Sequence, residues 1–386
     1  MPWMERRVEM LREEFIARSM QDNHNISALC EEFGISRKTG YKWIKRYQES
    51  GCLENRSKGP KKNSSKTDER IERLIIEIRQ EHPGWGARKI QVHLTRKGHK
   101  MPCIRTVNNI LKRNGFISQE ASLARRPFKR FERENNNELW QADFKGDVLM
   151  VDGNRCYPLT ILDDHSRYAL CIKPKTNQRN VLQDFIHTFR IYGLPQSILT
   201  DNGATFAGFK NGYTQFERAL MDQDILPIHG RFYHPQTQGK IERFHRSMKN
   251  EVLKFHHPLN FADATELLEK WKVVYNNERP HEALRDRCPA QVYTPSQRTY
   301  HEKILPYEYN SQFQIYRINN WGFLRFAIYQ IYISETFRDI HVQLVPNERE
   351  DTVLVCYRNF VIAKIDITDG KLISRKAYRL RYLYNQ

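Results

Sequence analysis

The chain has 386 residues, a net charge of +18, a pI of about 9.5 and a mean hydropathy of −0.74. That length suits two to four domains with at least one sizeable core, and no apolar run reaches the roughly eighteen residues a membrane span needs. The opening MPWMERRVEM has no apolar stretch of the kind that marks a secretory signal. Residues 1–135 hold 30 Lys/Arg against 17 Asp/Glu, so most of the basic excess sits in the first third. Phosphate neutralisation makes nucleic acid the expected partner. A membrane surface is the alternative, but no basic amphipathic helix with a large apolar face stands out. The seven cysteines are scattered and never spaced as CxxC, which points to a reducing compartment and away from a Cys-rich zinc site. His93, His99 and Cys103 form a loose cluster without a second cysteine.

A helix is expected over 5–20, followed by NISALCEEFGISRKTGYKWIKRYQESG. Ile26, Leu29 and Phe33 share one helical face, Gly34 supplies a turn, and Ser36 caps a second helix from Arg37 to Gln48. Tyr41 and Ile44 are expected to face the first helix, leaving Lys38, Lys42 and Lys45 on another face. Helix, glycine turn and basic helix match a helix-turn-helix, whose second helix enters the major groove. The alternative is a plain helical hairpin with a solvated basic face. GCLENRSKGPKKNSSK reads as a flexible basic linker. A helix over 68–81 ends at Pro83-Gly84. A second helix-turn-helix then starts at Ala87, turns at Gly98 and continues from Ile104 to Lys112, with Arg105 as a candidate DNA contact. Residues 116–137, with RRPFKRFER at their centre, read as a second linker, as readily a solvated tether as a specific contact.

From Glu138 the texture changes. LWQADFKGDVLMV is a short alternating run carrying Asp143, and PLTILDDHSRYALCIKPK reads as a hairpin around Asp-Asp-His-Ser. A helix over 181–192 precedes SILTDNGATF, a strand ending at Asp201. A further helix, the strand DILPIHG and HPQTQGKIERFHRSMK follow. In the last stretch Ile241, Phe244, Met248 and Val252 make one apolar stripe, while Glu242, Arg246 and Lys249 fall at i, i+4 and i+7 beside it. The order of elements is that of an α/β domain. Asp143 on a strand, Asp201 at a strand end and Glu242 on a helix are held by rigid backbone, as a two-metal phosphodiester site requires. Mg²⁺ prefers such oxygen ligands. Asp163 and Asp164 read as turn-forming, Asp147 and Asp152 as loop acids. His165, His234 and His245 lie in or beside these motifs. His234 either contacts substrate or supports the turn before Gly239. Asn202 and Gly203 are expected to shape the loop around Asp201, and Thr237 and Gln238 to reach the DNA backbone.

A helix over 262–276 packs through Leu267, Leu268, Trp271, Val274 and Tyr275, and NNERPHEAL caps the core. Beyond Arg298 come FQIYRI, FLRFAIYQIYI, HVQLV, TVLVCYR and FVIAKIDI, short strands that suggest a small β-barrel or half-open sheet. ISRKAYRLRYLYNQ ends the chain with basic and aromatic residues interleaved, a weak nucleic-acid signal.

WQADFKG, LTDNGATF, HPQTQGKIER and YNNERPHEAL together resemble the integrase-type catalytic core of bacterial insertion-sequence transposases, a core similar to retroviral integrase within the ribonuclease-H-like fold. The resemblance covers about residues 138–295, and the tandem helix-turn-helix start suits the same family. It implies that Asp143, Asp201 and Glu242 are the Asp-Asp-Glu triad and hold Mg²⁺, which Mn²⁺ can replace. It also implies that Lys249 faces the DNA end. Forty residues separate Asp201 from Glu242, a few more than the family pattern, which points to an insertion near FKNGYTQ. The implied organisation is a helix-turn-helix module over 1–60, a second over 61–115, a basic linker over 116–137, the catalytic core over 138–295 and a small β-barrel-like domain over 296–386. The implied activity is binding of double-stranded mobile-element ends by an oligomer, at least a dimer, in the bacterial cytoplasm at the nucleoid. Strand cleavage would leave a 3′-OH that attacks target DNA in line. A DNA-binding regulator with an inactive core is the rival from another class, and a general ribonuclease-H-like nuclease is a second. The intact carboxylate set counts against the first and the end-binding modules against the second.

Overall fold

The computed structural model describes residues 8–21, 25–54, 67–117, 133–208, 212–230, 239–347 and 351–380. It has two units, Met1–Lys66 and Thr67–Gln386. The first holds α1 (Val8–Ser19), α2 (Ile26–Glu32) and α3 (Arg37–Ser50) around Phe15, Ile16, Leu29, Cys30 and Trp43. Ser36 caps α3 as expected, its Oγ accepting from Thr39 N at 3.2 Å. One expectation is corrected. Tyr41 is 57% exposed and faces away from the helix pair; Gly40 and Trp43 lie inward instead, and Ile44 is half-buried beside them. The reason is close approach: a side chain at Gly40 would collide with Cys30 Sγ, so α3 presents its smallest residue to α2.

The second unit opens with α4 (Glu69–Glu81), α5 (Ala87–Arg96) and α6 (Ile104–Arg113), packed through Ile75, Trp85, Ile90, Leu94, Val107 and Ile110. The central domain follows as β1 (Trp140–Phe144), β2 (Val148–Leu149), β3 (Arg155–Cys156), β4 (Leu159–Asp163), β5 (Ala169–Lys173), α7 (Leu182–Tyr192), β6 (Ser197–Thr200), α8 (Gln215–Asp222), β7 (Leu226–His229), α9 (Gly239–Met248) and α10 (Phe261–Asn277). Five strands form one sheet in the order β5-β4-β1-β6-β7. β4 is antiparallel to both of its neighbours, β5 and β1, whereas β6 and β7 run parallel to β1. This mixed order is the ribonuclease-H-like arrangement. Alternation along the strands sorts the two faces. Trp140, Ala142, Leu159 and Ile161 face α7 and α8, packing on Phe185, Phe189 and Phe216. Leu162, Ala169 and Ile172 meet α9 and α10 through Phe244, Met248, Leu268, Trp271 and Tyr275. Burial of each such aromatic contributes about 1.5–3 kcal/mol, so α9 is fixed to the sheet by its apolar stripe.

The last segment is β8 (Ile315–Arg317), β9 (Phe323–Phe326), β10 (Tyr329–Tyr332), β11 (His341–Asn347), β12 (Thr352–Tyr357), β13 (Phe360–Asp366), β14 (Leu372–Ser374) and β15 (Tyr378–Arg379). The expected barrel is not formed. The strands make an open sheet, β14-β13-β12-β11-β8, with β15 on β13 and β9–β10 as a separate hairpin. Closure is unnecessary because one face is already covered. Leu324, Ile331 and Ile333 from the hairpin region and Tyr213 and Met221 from the central domain share its core. Gly212 and Tyr213 lie at the insertion between Asp201 and Glu242; residues 209–211 of that insertion are outside the described residues. Gly212 has φ +91°, and a Cβ there would meet Ser334 Cβ at 2.5 Å. Tyr213 is buried, donating its OH to Ile362 O at 2.7 Å and accepting at its carbonyl from Thr336 Oγ1 at 2.5 Å. Gly212 and Tyr213, where the spacing predicts an insertion, thus dock the C-terminal sheet.

Candidate active site

Register brings the two aspartates together. Trp140 and Gln141 of β1 lie beside Ile198 and Leu199 of the parallel β6. Asp143 comes two residues after Gln141 on β1, and Asp201 two residues after Leu199, just past the end of β6, close enough for its charge to act on Asp143. Asp143 lies opposite Thr160 of β4, on the sheet face that α9 covers. Phe144 N donates to Asp143 Oδ1 at 2.8 Å, and Gly203 N donates to Asp201 Oδ1 at 3.0 Å. The latter bond and the Asn202 Nδ2 donation to Gly230 O at 2.8 Å form the loop around Asp201. Glu242 is exposed in the first turn of α9. Burial, and then the charges of Asp201 and Glu242, push the Asp143 carboxyl from its ordinary 3.8 up to about 7. The three carboxylates therefore share one electrostatic site. Among the described residues, however, no three His, Cys, Asp or Glu side chains stand close enough to form a ready-made metal cluster.

The placement of α9 depends on a buried polar chain that the sequence did not reveal. Gln141 donates to Asp164 Oδ1 at 2.7 Å and accepts from Ile241 N at 3.3 Å. Lys240 Nζ meets Asp164 Oδ2 at 2.5 Å. Asp164 therefore holds the start of α9 rather than only shaping a turn. Asp163 does shape it, accepting from Asn137 N, Ser166 N and Ser166 Oγ. Further along α9, His245 Nε2 lies 2.7 Å from Thr160 Oγ1, which donates to the Asp143 carbonyl at 2.9 Å. Thr160 has one proton, so His245 donates through Nε2 and turns the Nδ1 lone pair towards Asp143, 3.8 Å from Oδ2. Burial, then the Lys145 charge, lowers the His245 pKa to about 3, so the ring is neutral. A parallel arrangement backs Asp201. Thr200 Oγ1 lies 3.0 Å from His229 Nδ1, and His229 Nε2 lies 2.8 Å from the buried Glu217. His165 Nδ1 is 2.9 Å from Arg133 O, outside this cluster. His234, Thr237 and Gln238 lie outside the described residues.

Family models match along most of the chain. An integrase core domain matches residues 133–235, and a second integrase core model matches 223–289. A helix-turn-helix domain matches 11–61 and a homeodomain-like domain 39–111. The chain therefore carries an integrase core domain preceded by helix-turn-helix domains. It is 27% identical over 230 residues to an insertion element IS407 protein of 31.7 kDa from Burkholderia multivorans, an alignment that covers 56% of this chain and 78% of that protein. It is 24% identical over 261 residues to the transposase for transposon Tn552 of Staphylococcus aureus, covering 60% of this chain and 53% of that one. It thus spans about half the length of the Tn552 protein. Among solved structures, the HTLV-2 integrase catalytic core domain in complex with magnesium aligns at 17% identity over 42% of this chain and 99% of its own, with a TM-score of 0.33. A simian T-cell lymphotropic virus intasome chain aligns at 15% identity over 80% of this chain and 96% of its own, with a TM-score of 0.36.

The candidate DNA contacts lie on three elements, α3, α6 and α9 with the turn that follows it. Lys38, Lys42 and Lys45 are exposed on α3, and Tyr41 stands among them. Arg105 is exposed at the start of α6, as are Asn108 and Asn109, which no sequence motif singles out. Arg246 and Lys249 are exposed on the Glu242 side of the central domain. Lys249 begins a π-helical turn, Lys249–Leu253, that replaces the last turn of the expected α-helix. Lys145 also escapes a reading by motif. Burial and the nearby Lys249 charge lower its pKa, and it feels the Asp143 carboxylate, so two cations flank the acidic site. Among the described residues no helix is long and apolar enough to cross a membrane.

Proposed function

We propose that this chain binds the ends of a mobile element through its helix-turn-helix modules and catalyses DNA strand cleavage and strand transfer at Asp143, Asp201 and Glu242. The observation that supports the reading is electrostatic: Asp143 on β1 feels the charges of both Asp201, just past β6, and Glu242 on α9, and Lys145 feels both Asp143 and Lys249. The donors are all carboxylate oxygens, and their mutual repulsion, added to burial, raises Asp143 to about 7. Such a set suits a hard divalent cation, so the residues fit Mg²⁺, with Mn²⁺ as a substitute. Asp143, Asp201 and Glu242 would hold it, and when bound it supplies electrostatic activation of the scissile phosphodiester.

The chain's own groups do the rest. Lys249 and Lys145 bind phosphates of the terminal nucleotides and orient them over the carboxylates, since misplacement by about 1 Å can cost a hundredfold in rate. His245 and Thr160 keep β1 and α9 in fixed relation, and His229 and Glu217 do so for the loop of Asp201. Residues 1–60 and 61–115 act as the two end-binding modules, 116–137 as a basic tether, 138–295 as the core and 296–386 as a β-rich appendage. Joining two ends requires two active sites, so the working form on DNA is at least a dimer, acting in the bacterial cytoplasm. The test is strand transfer by purified protein on a labelled element end. Joined product that appears with Mg²⁺ or Mn²⁺ and disappears with chelator is expected. Binding to ends without cleavage under any divalent cation would favour a DNA-binding regulator.

A further inference from the structure

The second helix-turn-helix segment meets the central domain around one buried carboxylate, with Arg88 and Arg96 of α5 making further bonds to residues 286–288. Glu251 lies in the π-helical turn directly after α9, and its side chain is 6% exposed. From the core, Arg279 donates through Nε to Glu251 Oε2 at 2.9 Å and through Nη2 to Oε1 at 2.8 Å. Its remaining donors reach Ser247 Oγ at 3.1 Å and His281 Nε2 at 2.9 Å. From α5, Lys89 Nζ reaches the same Glu251 Oε1 at 2.8 Å. The backbone closes behind this contact. A Cβ at Gly84 would meet Glu251 Cγ at 2.5 Å and Asn250 O at 2.9 Å, so the α4–α5 loop lies directly on the turn. A second ion pair flanks it, Arg88 to Asp286 at 2.9 Å, and Val274 of α10 packs into the helical module's own core.

This is a specific joint. The ammonium and guanidinium share one carboxylate: removing Glu251 leaves two cations without their anion, whereas removing Lys89 leaves Glu251 paired with Arg279 and loosens the contact from α5. The joint sits two turns along the helix that carries Glu242. In the same three-helix module, α6 presents Arg105, Asn108 and Asn109 to solvent at the N-terminal end that reads bases in helix-turn-helix proteins. Base-reading helix and catalytic helix therefore belong to one body.

We propose that the Lys89–Glu251–Arg279 joint makes the second helix-turn-helix module a fixed ruler, so that the bases bound by α6 determine which phosphodiester is presented to Glu242. Lys89, Glu251 and Arg279 are positioning residues, engaged with one another. The inference rests on the function proposed above.

Two experiments on the full chain test it. In the first, bases protected by α6 are located by footprinting wild type against Asn109→Ala, and two base pairs are inserted between them and the cut. Wild type is expected to cut at the original distance from the protected bases, displacing the break by two nucleotides relative to the element terminus. A break that stays at the terminus overturns the proposal. In the second, cleavage positions are mapped at nucleotide resolution for Lys89→Met and Lys89→Arg. Lys89→Met is expected to bind ends within about twofold of wild type while the correctly placed fraction of breaks falls at least fivefold, and Lys89→Arg is expected to restore it. Correctly placed breaks in Lys89→Met would overturn the proposal, and if that variant does not fold, the spacer experiment decides. Wild type that cuts no end with Mg²⁺ refutes the proposed function, and the ruler falls with it; wild type that cuts without regard to the spacer refutes the ruler alone.

Discussion

Asp143 is the residue at which stability and chemistry oppose each other. Its folded pKa of about 7 lies above its ordinary 3.8 because burial and two neighbouring carboxylates penalise the charge. The sign follows from proton linkage: between those values the folded state holds the extra proton, so rising pH removes stability, and the whole penalty is present above about pH 7. In metal-free buffer Asp143→Asn should therefore raise the melting temperature by a few degrees at pH 8 and by less than half as much at pH 5. Thermal unfolding of both proteins checks this, and an equal gain at the two pH values would contradict it. His245 calls for a different measurement, because its task is placement. His245→Ala should lower single-turnover cleavage at least tenfold with end affinity changed less than twofold. His245→Gln, whose amide N–H can still reach Thr160 Oγ1, should recover much of the rate; no difference between the two variants would assign His245 to packing alone. Lys249→Ala should likewise impair cleavage more than binding, with Lys254→Ala as the control.

At the scale of elements, α3 and α9 show how far local sequence carries. Ser36, Gly34 and the lysine spacing identify α3 because caps and periodicity act within a few residues. Its inward face is not legible in the same way: ranking by size favours Tyr41 over Gly40, whereas the close approach of α2 selects the glycine. Changing Lys38, Lys42 and Lys45 to alanine should flatten the salt dependence of end binding by about 0.9 in log–log slope for each phosphate left unneutralised. A filter-binding titration with an unchanged slope would exclude α3 from the phosphates. For α9, the apolar stripe and Glu242 were legible, and so was the strand placement of Asp143 and Asp201. The supports were not. Gln141 lies 100 residues from Ile241, and Glu217 and His229 meet only once β7 and α8 have packed. Such pairings leave no periodic trace. The π-helical turn at Lys249 is equally invisible; Glu251 within it is paired with Arg279 across 28 residues.

Across the whole chain, the second unit shows its modules joined more tightly than a succession of motifs suggests. The β-rich segment was legible as strands but not as an open sheet, because its face is covered by long-range contacts from the β9–β10 region and from Tyr213 and Met221 of the central domain. Tyr213→Ala should remove an anchor worth about 3–5 kcal/mol and expose β8 to β15 to limited proteolysis, whereas Tyr213→Phe, losing one hydrogen bond of about 1 kcal/mol, should remain resistant. Equal resistance of all three proteins would show that the insertion does not hold the sheet. The central claim is that one set of residues binds element ends and another does the chemistry. Its most direct measurement compares end affinity and Mg²⁺-dependent strand transfer, at one salt concentration, for wild type, Asp143→Asn, Asp201→Asn and Glu242→Gln. The account predicts affinities within about threefold of wild type and strand transfer reduced at least a thousandfold in every variant. Strand transfer near the wild-type rate in any of the three, or loss of binding in parallel with loss of transfer, would contradict it.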